Sequence, residues 1–221
     1  QEVHILGVPT ARGKVHGVVK HFPKNLPETM KLSSGVTVTS PLQTIVDSAK
    51  ILEPAQGLAL ADSALRVGSV VERELRDALK TASGKGASAC HFLAKHFSVM
   101  SESPGESYTR FLLIYMGLEF SEQEEIWVEG RMFRVDFRLT GTNILVEFDG
   151  RLKRTDYGAS DQVLEKERYR EKTLQNQGFA VFRVGWADVT GNFHQTVSRL
   201  RRFIQATGTR RYCWLLDPPP S

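Results

Sequence analysis

The stretch RVDFRLTGTNILVEFDGRLKR, Arg134 to Arg154, sets three carboxylates, Asp136, Glu147 and Asp149, among apolar strand-forming residues. EEIWVEGRMFRVDFRL before and within it reads as two strands joined by a turn at Glu129-Gly130. TNILVEFDG reads as a third strand, apolar enough to lie inside a sheet. Glu147 and Asp149 are two residues apart and so share one face of that strand. If the second and third strands pair, the turn at Thr140–Asn143 brings Asp136 beside them. Three carboxylates then converge at one end of a sheet, where they repel strongly unless a positive charge joins them.

A hard divalent cation such as Mg²⁺, with Mn²⁺ as the substitute, takes oxygen ligands of this kind. Such a metal polarises a phosphate and lowers the pKa of an attacking water, the chemistry of phosphodiester hydrolysis. Cations follow in the sequence: Arg151, Lys153 and Arg154, then Lys166 and Arg170 about one helical turn apart. A lysine ammonium can orient the water or steady developing phosphorane charge, and arginines suit phosphate. The residues also admit a plainer reading. Asp136 can pair with Arg134 or Arg138 on an edge strand, and Asp149-Gly150 is a common turn dipeptide.

Outward from this stretch, SPGESYTRFLLIYMGLEF predicts a helix with Ser103 as N-cap, Pro104 first, Glu106 third and Gly117 as its stop. Glu106 therefore has two readings, a helix cap and a catalytic-site carboxylate. DQVLEKERYREKTLQNQG predicts a charged amphipathic helix, FAVFRVGW a buried strand and TVSRLRRFIQAT a last helix. The order over this half is α-β-β-β-α-β-α. Phe182 and Trp186 read as core aromatics, because strand aromatics usually pack.

The first hundred residues are different. Up to residue 40 they read as β, in short β-branched runs between Gly and Pro. Four helices are then predicted. TSPLQTIVDSAKIL has Ser40 as N-cap and Pro41 at the first position, and PAQGLALADSALRVG closes on Gly68. VVERELRDALKTA and GASACHFLAKHF follow. Asp47 and Asp62 read as helix-end or surface residues. The polar, small-residue run SVMSESPGES marks the domain boundary, near residues 98–103, giving an N-terminal α+β domain (1–100) and a C-terminal domain (101–221).

The 221 residues are 41% hydrophobic and 24% charged, the balance of an ordinary globular protein, with a formal net charge of +4. The excess of Lys and Arg lies in the first hundred residues, so attraction to a polyanion starts there. No apolar run approaches the ~18 residues of a membrane span. Two cysteines, Cys90 and Cys213, follow no ligand spacing, which points to a reducing, cytoplasmic compartment. The chain starts at Gln1 directly in a strand-like run and reads as a fragment of a longer protein.

The ordered set SPGES at a helix head, RVDF, ILVEFDG and LQNQGFAVFRVGW resembles the DUF559 domain, which is similar to the Vsr-like endonucleases of the PD-(D/E)XK superfamily. The resemblance covers about residues 101–205. It implies a restriction-endonuclease-like mixed sheet flanked by helices, an α/β fold, and metal-dependent cleavage of DNA. It implies Asp136, Glu147 and Asp149 as metal-site residues, Glu106 as the helix glutamate, and Lys153 or Lys166 as the assisting amine. Two departures stand out. The superfamily places a lysine two residues after the acidic ligand, where this chain has Asp149. A histidine often follows the DG pair, where this chain has Lys153 and Arg154.

VTVTSPLQTIVDSAKILEPAQGLALADSAL resembles the C-terminal part of AbiEi-type antitoxin or regulator proteins, which implies a winged helix-turn-helix upstream and a toxin–antitoxin or defence partner. Two functions follow. One is a Mg²⁺-dependent DNA endonuclease of phage defence or repair. The other is a regulator that keeps a degenerate nuclease fold to grip DNA. A third, plainer option is an interaction module whose acidic cluster is structural.

Overall fold

The computed structural model describes residues 3–6, 16–21, 27–150 and 161–207. Two short β pairs come first. Strands β1 (Val3–Leu6) and β2 (Val18–His21) run parallel; β3 (Thr29–Lys31) and β4 (Thr37–Thr39) run antiparallel. Four helices follow: α1 (Pro41–Ala49), α2 (Pro54–Arg66), α3 (Glu72–Thr81) and α4 (Ala87–His96). The α1 start is as expected. Ser40 Oγ accepts the Gln43 N–H at 3.2 Å and Pro41 opens the helix, where its missing N–H costs nothing. The α2 end is also as expected, with Gly68 at φ +70°.

Apolar side chains at helical spacing make the first core. Ile45, Leu58, Leu75, Leu79, Cys90 and Leu93 are all at or below 2% exposure. Burying one such leucine contributes about 1.5–3 kcal/mol before conformational entropy is set against it. Helices α2 and α4 approach closely because Gly57 lacks a side chain; a Cβ there would stand 3.0 Å from Leu93.

The second half holds α5 (Pro104–Tyr115), β5 (Phe120–Val128), β6 (Arg131–Leu139), β7 (Ile144–Phe148), α6 (Asp161–Asn176), β8 (Ala180–Val184), α7 (Trp186–Val189) and α8 (Phe193–Ala206). The sheet order is β5-β6-β7-β8, antiparallel for the first two pairings and parallel for β7·β8 across α6. This is the mixed α/β sheet flanked by helices that the resemblance implied.

The hairpin turn falls at Glu129 (φ +50°) and Gly130 (φ +75°) as expected, both left-handed as a two-residue turn between twisted strands requires. Interior strand β7 is buried on both faces. Ile144 and Val146 face a core with Leu112, Leu113, Phe182 and Leu200, and Leu145 faces Leu174 of α6. Phe182 and Trp186 pack on the first of these cores, as expected.

Two findings depart from the sequence reading. The last strand does not run to Trp186. It stops at Val184, and Asp188 accepts the Gly185 N–H at 2.9 Å, which starts the one-turn helix α7. Asp62 is no surface residue. It is 2% exposed and paired at 2.8 Å with Arg110 of α5. Helix α5 serves both cores: Phe111 and Ile114 pack on the first, Leu112, Leu113 and Met116 on the second.

Candidate active site

Strand register positions the first two carboxylates. Phe137 pairs with Val146 and Arg138 with Leu145, so one step further along the ladder Asp136 comes opposite Glu147. Opposite residues on neighbouring strands share a face and stand about 4.5–5.5 Å apart at Cβ. Asp136 Oδ2 also accepts the Phe148 N–H at 2.8 Å, which fixes the side chain against the end of β7.

The hairpin changes face at this point. Val135 and Phe137 lie two apart on β6 yet belong to different cores, one on the α6 side and one on the α5 side. The β5·β6 pairing skips Gln123 and Asp136, and Gln123 has φ +51°. A non-glycine residue in the left-handed region is uncommon and costs of order 1 kcal/mol or more. Here it turns the Gln123 amide to donate to Glu106 Oε2 at 2.9 Å.

Glu106 comes from the head of α5. Ser103 Oγ accepts the Glu106 N–H at 3.2 Å and donates to Glu106 Oε1 at 2.7 Å. Glu106 Oε2 accepts the Glu102 N–H at 2.9 Å. The cap reading is thus borne out, but the carboxylate also reaches across to β5 through Gln123. What brings the α5 head so close to β7 is Gly105. A Cβ on it would stand 2.0 Å from the Phe148 ring. Phe148 in turn lies edge-on to Trp186, their ring centroids 5.1 Å apart.

Glu106, from a helix head, and Glu147, from the neighbouring strand, both lie close enough to Asp136 for their charges to act on it. Burial, and next the charges of Glu106 and Glu147, push the Asp136 carboxyl up to about 6, against the pull of the Phe148 N–H and Arg170. Cations stand on the other side. Arg170 of α6 donates to Glu147 Oε1 at 2.5 Å and to the Arg134 carbonyl at 2.8 Å. Arg183 Nε lies 3.7 Å from Glu147 Oε2 and its Nη2 3.3 Å from Glu171. Arg134 pairs with Glu102 at 2.6 Å, tying β6 to the start of α5.

Of the residues expected at the site, Asp136 feels the charges of Glu106 and Glu147, though the three do not form a metal-ligand cluster among the described residues. Asp149 lies just past β7, where its N–H donates to the Val184 carbonyl at 2.8 Å, and it is half-buried. Lys153 lies outside the described residues, as do Arg151, Arg154 and the side chain of Lys166 on α6. The sequence reading missed Gln123, Arg183 and the Glu102–Arg134 pair. An arginine inside the apolar run FAVFRVGW was a usable signal for Arg183; Gln123 carried none.

Among the described residues, no three His, Cys, Asp or Glu side chains form a ready metal-ligand set. The donor chemistry nevertheless fits a hard divalent cation. Asp136 and Glu147 offer carboxylate oxygens, and burial first, then the charges of Glu106 and Glu147, disfavours the charged form of Asp136, a cost that a bound cation would offset. Arg170 and Arg183 already neutralise Glu147 in part, so a cation must share that carboxylate with them or displace them.

The chain is 27% identical over 174 residues to two proteins of Mycobacterium tuberculosis, uncharacterized protein MT2308 of strain CDC 1551 / Oshkosh and uncharacterized protein Rv2248 of strain ATCC 25618 / H37Rv. The match covers 77% of this chain and 63% of each relative, so the chain spans less than two thirds of their length. Among solved structures it is similar to the catalytic domain of homing endonuclease I-Bth0305I, with a TM-score of 0.37 and 16% identity over 48% of this chain and 97% of that one. A likeness that distant carries no argument about activity. No protein-family model matches the chain. No described helix is long and apolar enough to cross a membrane.

Proposed function

We propose that the chain is a metal-dependent nuclease hydrolysing phosphodiester bonds in DNA. One observation supports it above the others. Asp136 and Glu147 lie on paired strands, and burial, then the charges of Glu106 and Glu147, raises Asp136 to about 6. A buried carboxylate whose charged form is disfavoured, with two more carboxylates close enough to act on it, is a group whose cost a bound cation would offset.

In this reading Asp136 and Glu147 would hold a divalent cation, and Asp149 would contribute from the end of β7. The cation supplies Lewis-acid polarisation of a phosphate and a more acidic water. The chain's own residues do the rest. Glu106, fixed by Ser103, Glu102 and Gln123, orients a water beside the reacting phosphate. Arg170 and Arg183 are placed to turn from Glu147 toward a phosphate oxygen, where a guanidinium binds in bidentate fashion. Lys153 or Lys166 would assist the nucleophile. A role in phage defence or repair, with a toxin–antitoxin or defence partner, belongs to this proposal.

The test is nicking of supercoiled plasmid with Mg²⁺ or Mn²⁺ against EDTA, beside Asp136→Ala. Metal-dependent nicking that is lost in the variant is the expected result. A second reading is favoured by the pairing of Glu147 with Arg170 and Arg183: a regulator whose site is neutralised by its own arginines and which binds DNA without cutting it. It predicts no nicking with either metal, and DNA affinity that persists or rises in Glu147→Gln.

A further inference from the structure

Beyond the carboxylates, the same face of the sheet carries a groove between the start of β6 and α6. It has a volume of about 780 Å³ and is lined by Arg131, Phe133, Glu165, Arg168, Tyr169 and Lys172. That volume lies within the range of ligand sites, roughly 300–1,000 Å³. Three cations stand against one carboxylate. Tyr169 is 45% exposed and Arg131 lies over its ring, 4.9 Å from the centroid. Tyr169, with the three cations around it, offers exposed ring edge and positive charge in one groove. These are what a nucleic-acid strand meets, with cations for its phosphates and a ring for its bases.

The groove also has a fixed relation to the site. Phe133 and Asp136 are three residues apart on β6, about 10 Å at strand rise. Arg170, which holds Glu147, follows Tyr169 on α6. A strand lying in the groove therefore runs toward the carboxylates. Ring stacking needs a free base face, and paired bases inside a duplex have theirs covered by neighbours. We propose that this groove binds an unpaired DNA strand leading into the carboxylate site, with Arg168 and Lys172 on its phosphates and a base against Tyr169. The proposal rests on the nucleic-acid reading above and adds the form of the substrate.

The experiment is fluorescence anisotropy on a labelled single-stranded oligonucleotide and its duplex, in EDTA so that nothing is cut, over a salt series. Arg168→Ala/Lys172→Ala is expected to reduce the slope of log affinity against log salt by about 1.4, roughly 0.7 for each phosphate contact on a single strand. Tyr169→Ala is expected to weaken the single strand about tenfold, Tyr169→Phe to restore it, and both to leave duplex affinity within about twofold. Thermal melting checks that each variant is folded. An unchanged slope, an unchanged single-strand affinity in Tyr169→Ala, equal weakening on duplex, or no single-strand binding by the unaltered chain each overturns the proposal. The two readings fail separately. A chain that grips the strand through this groove but never nicks plasmid keeps the groove and loses the nuclease. One that nicks plasmid while these variants bind unchanged keeps the nuclease and loses the groove.

Discussion

Two clusters in this molecule are made of the same ingredients, arginine and carboxylate, and differ in how the arginines are placed. In the first, Arg110 is 2% exposed and lies among Asp62 at 2.8 Å, Glu122 at 3.1 Å, the Ser101 hydroxyl and the His96 carbonyl at 3.2 Å. Burial still pushes the Glu122 carboxyl up, against the pull of Arg110. In the second, Arg170 and Arg183 pair with Glu147, while Glu106 and Glu147 both act on the buried Asp136 carboxyl. The first cluster is closed and joins α5 to α2. In the second the arginines bond Glu147, while the Asp136 carboxylate accepts a backbone N–H and the Glu106 carboxylate accepts from Ser103, Glu102 and Gln123. A buried ion cluster that satisfies itself is a fastener; one that does not has an affinity for something else.

The comparison breaks most visibly at Arg110. Replacing it by Ala strands the buried Asp62 and the half-buried Glu122 carboxylate, a loss of about 3–5 kcal/mol. The expected result is a fall in melting temperature of roughly 6–20 °C for a chain of this size. Unchanged melting would show that the first cluster is not the fastener described.

Asp136→Asn has the opposite sign. The folded Asp136 carboxyl sits at about 6, above its ordinary 3.8, so the folded chain binds the proton more tightly than the unfolded one. Stability is therefore lost as the pH rises from about 4 through about 6, and stays lost above that. The variant removes this cost and is expected to be stabilised by on the order of 2 kcal/mol at pH 8, fading toward zero near pH 4. Melting curves across pH check it, and Mg²⁺ at pH 8 should stabilise the unaltered chain more than the variant. Equal melting of both at pH 8 would show that the charged Asp136 carboxylate costs the fold nothing.

Gly105→Ala sharpens the comparison by geometry alone. Its methyl would collide with the Phe148 ring, so the α5 head must move off β7. Overpacking of this kind costs about 1–3 kcal/mol. Plasmid nicking is expected to fall more than stability does, because Glu106 moves away from Asp136. Ser103→Ala is the smallest change. It removes the N-cap acceptor and one donor to Glu106, about 1 kcal/mol by melting.

Much of this was legible in the residues. Ser40-Pro41 and Ser103-Pro104 start helices wherever they stand, since a capping hydroxyl and a fixed φ act within one turn. Glu129-Gly130 makes its turn for the same local reason. Hydrophobic period then told strands from helices, and pairing β6 with β7 put Asp136 beside Glu147 from chain length alone. Those are short-range consequences of sequence. The partners were not short-range. Arg110 meets Asp62 across 48 positions, Arg170 meets Glu147 across 23, and Gln123 meets Glu106 across 17. No pattern in the chain announces these contacts, because each depends on how far two packed elements approach. That distance is set by Gly105 against Phe148 and Gly57 against Leu93. The sequence by itself determined the elements and the two facing carboxylates. Only tertiary packing decided which charges were neutralised, because charge is balanced by whatever lies within a few ångströms in space, not along the chain.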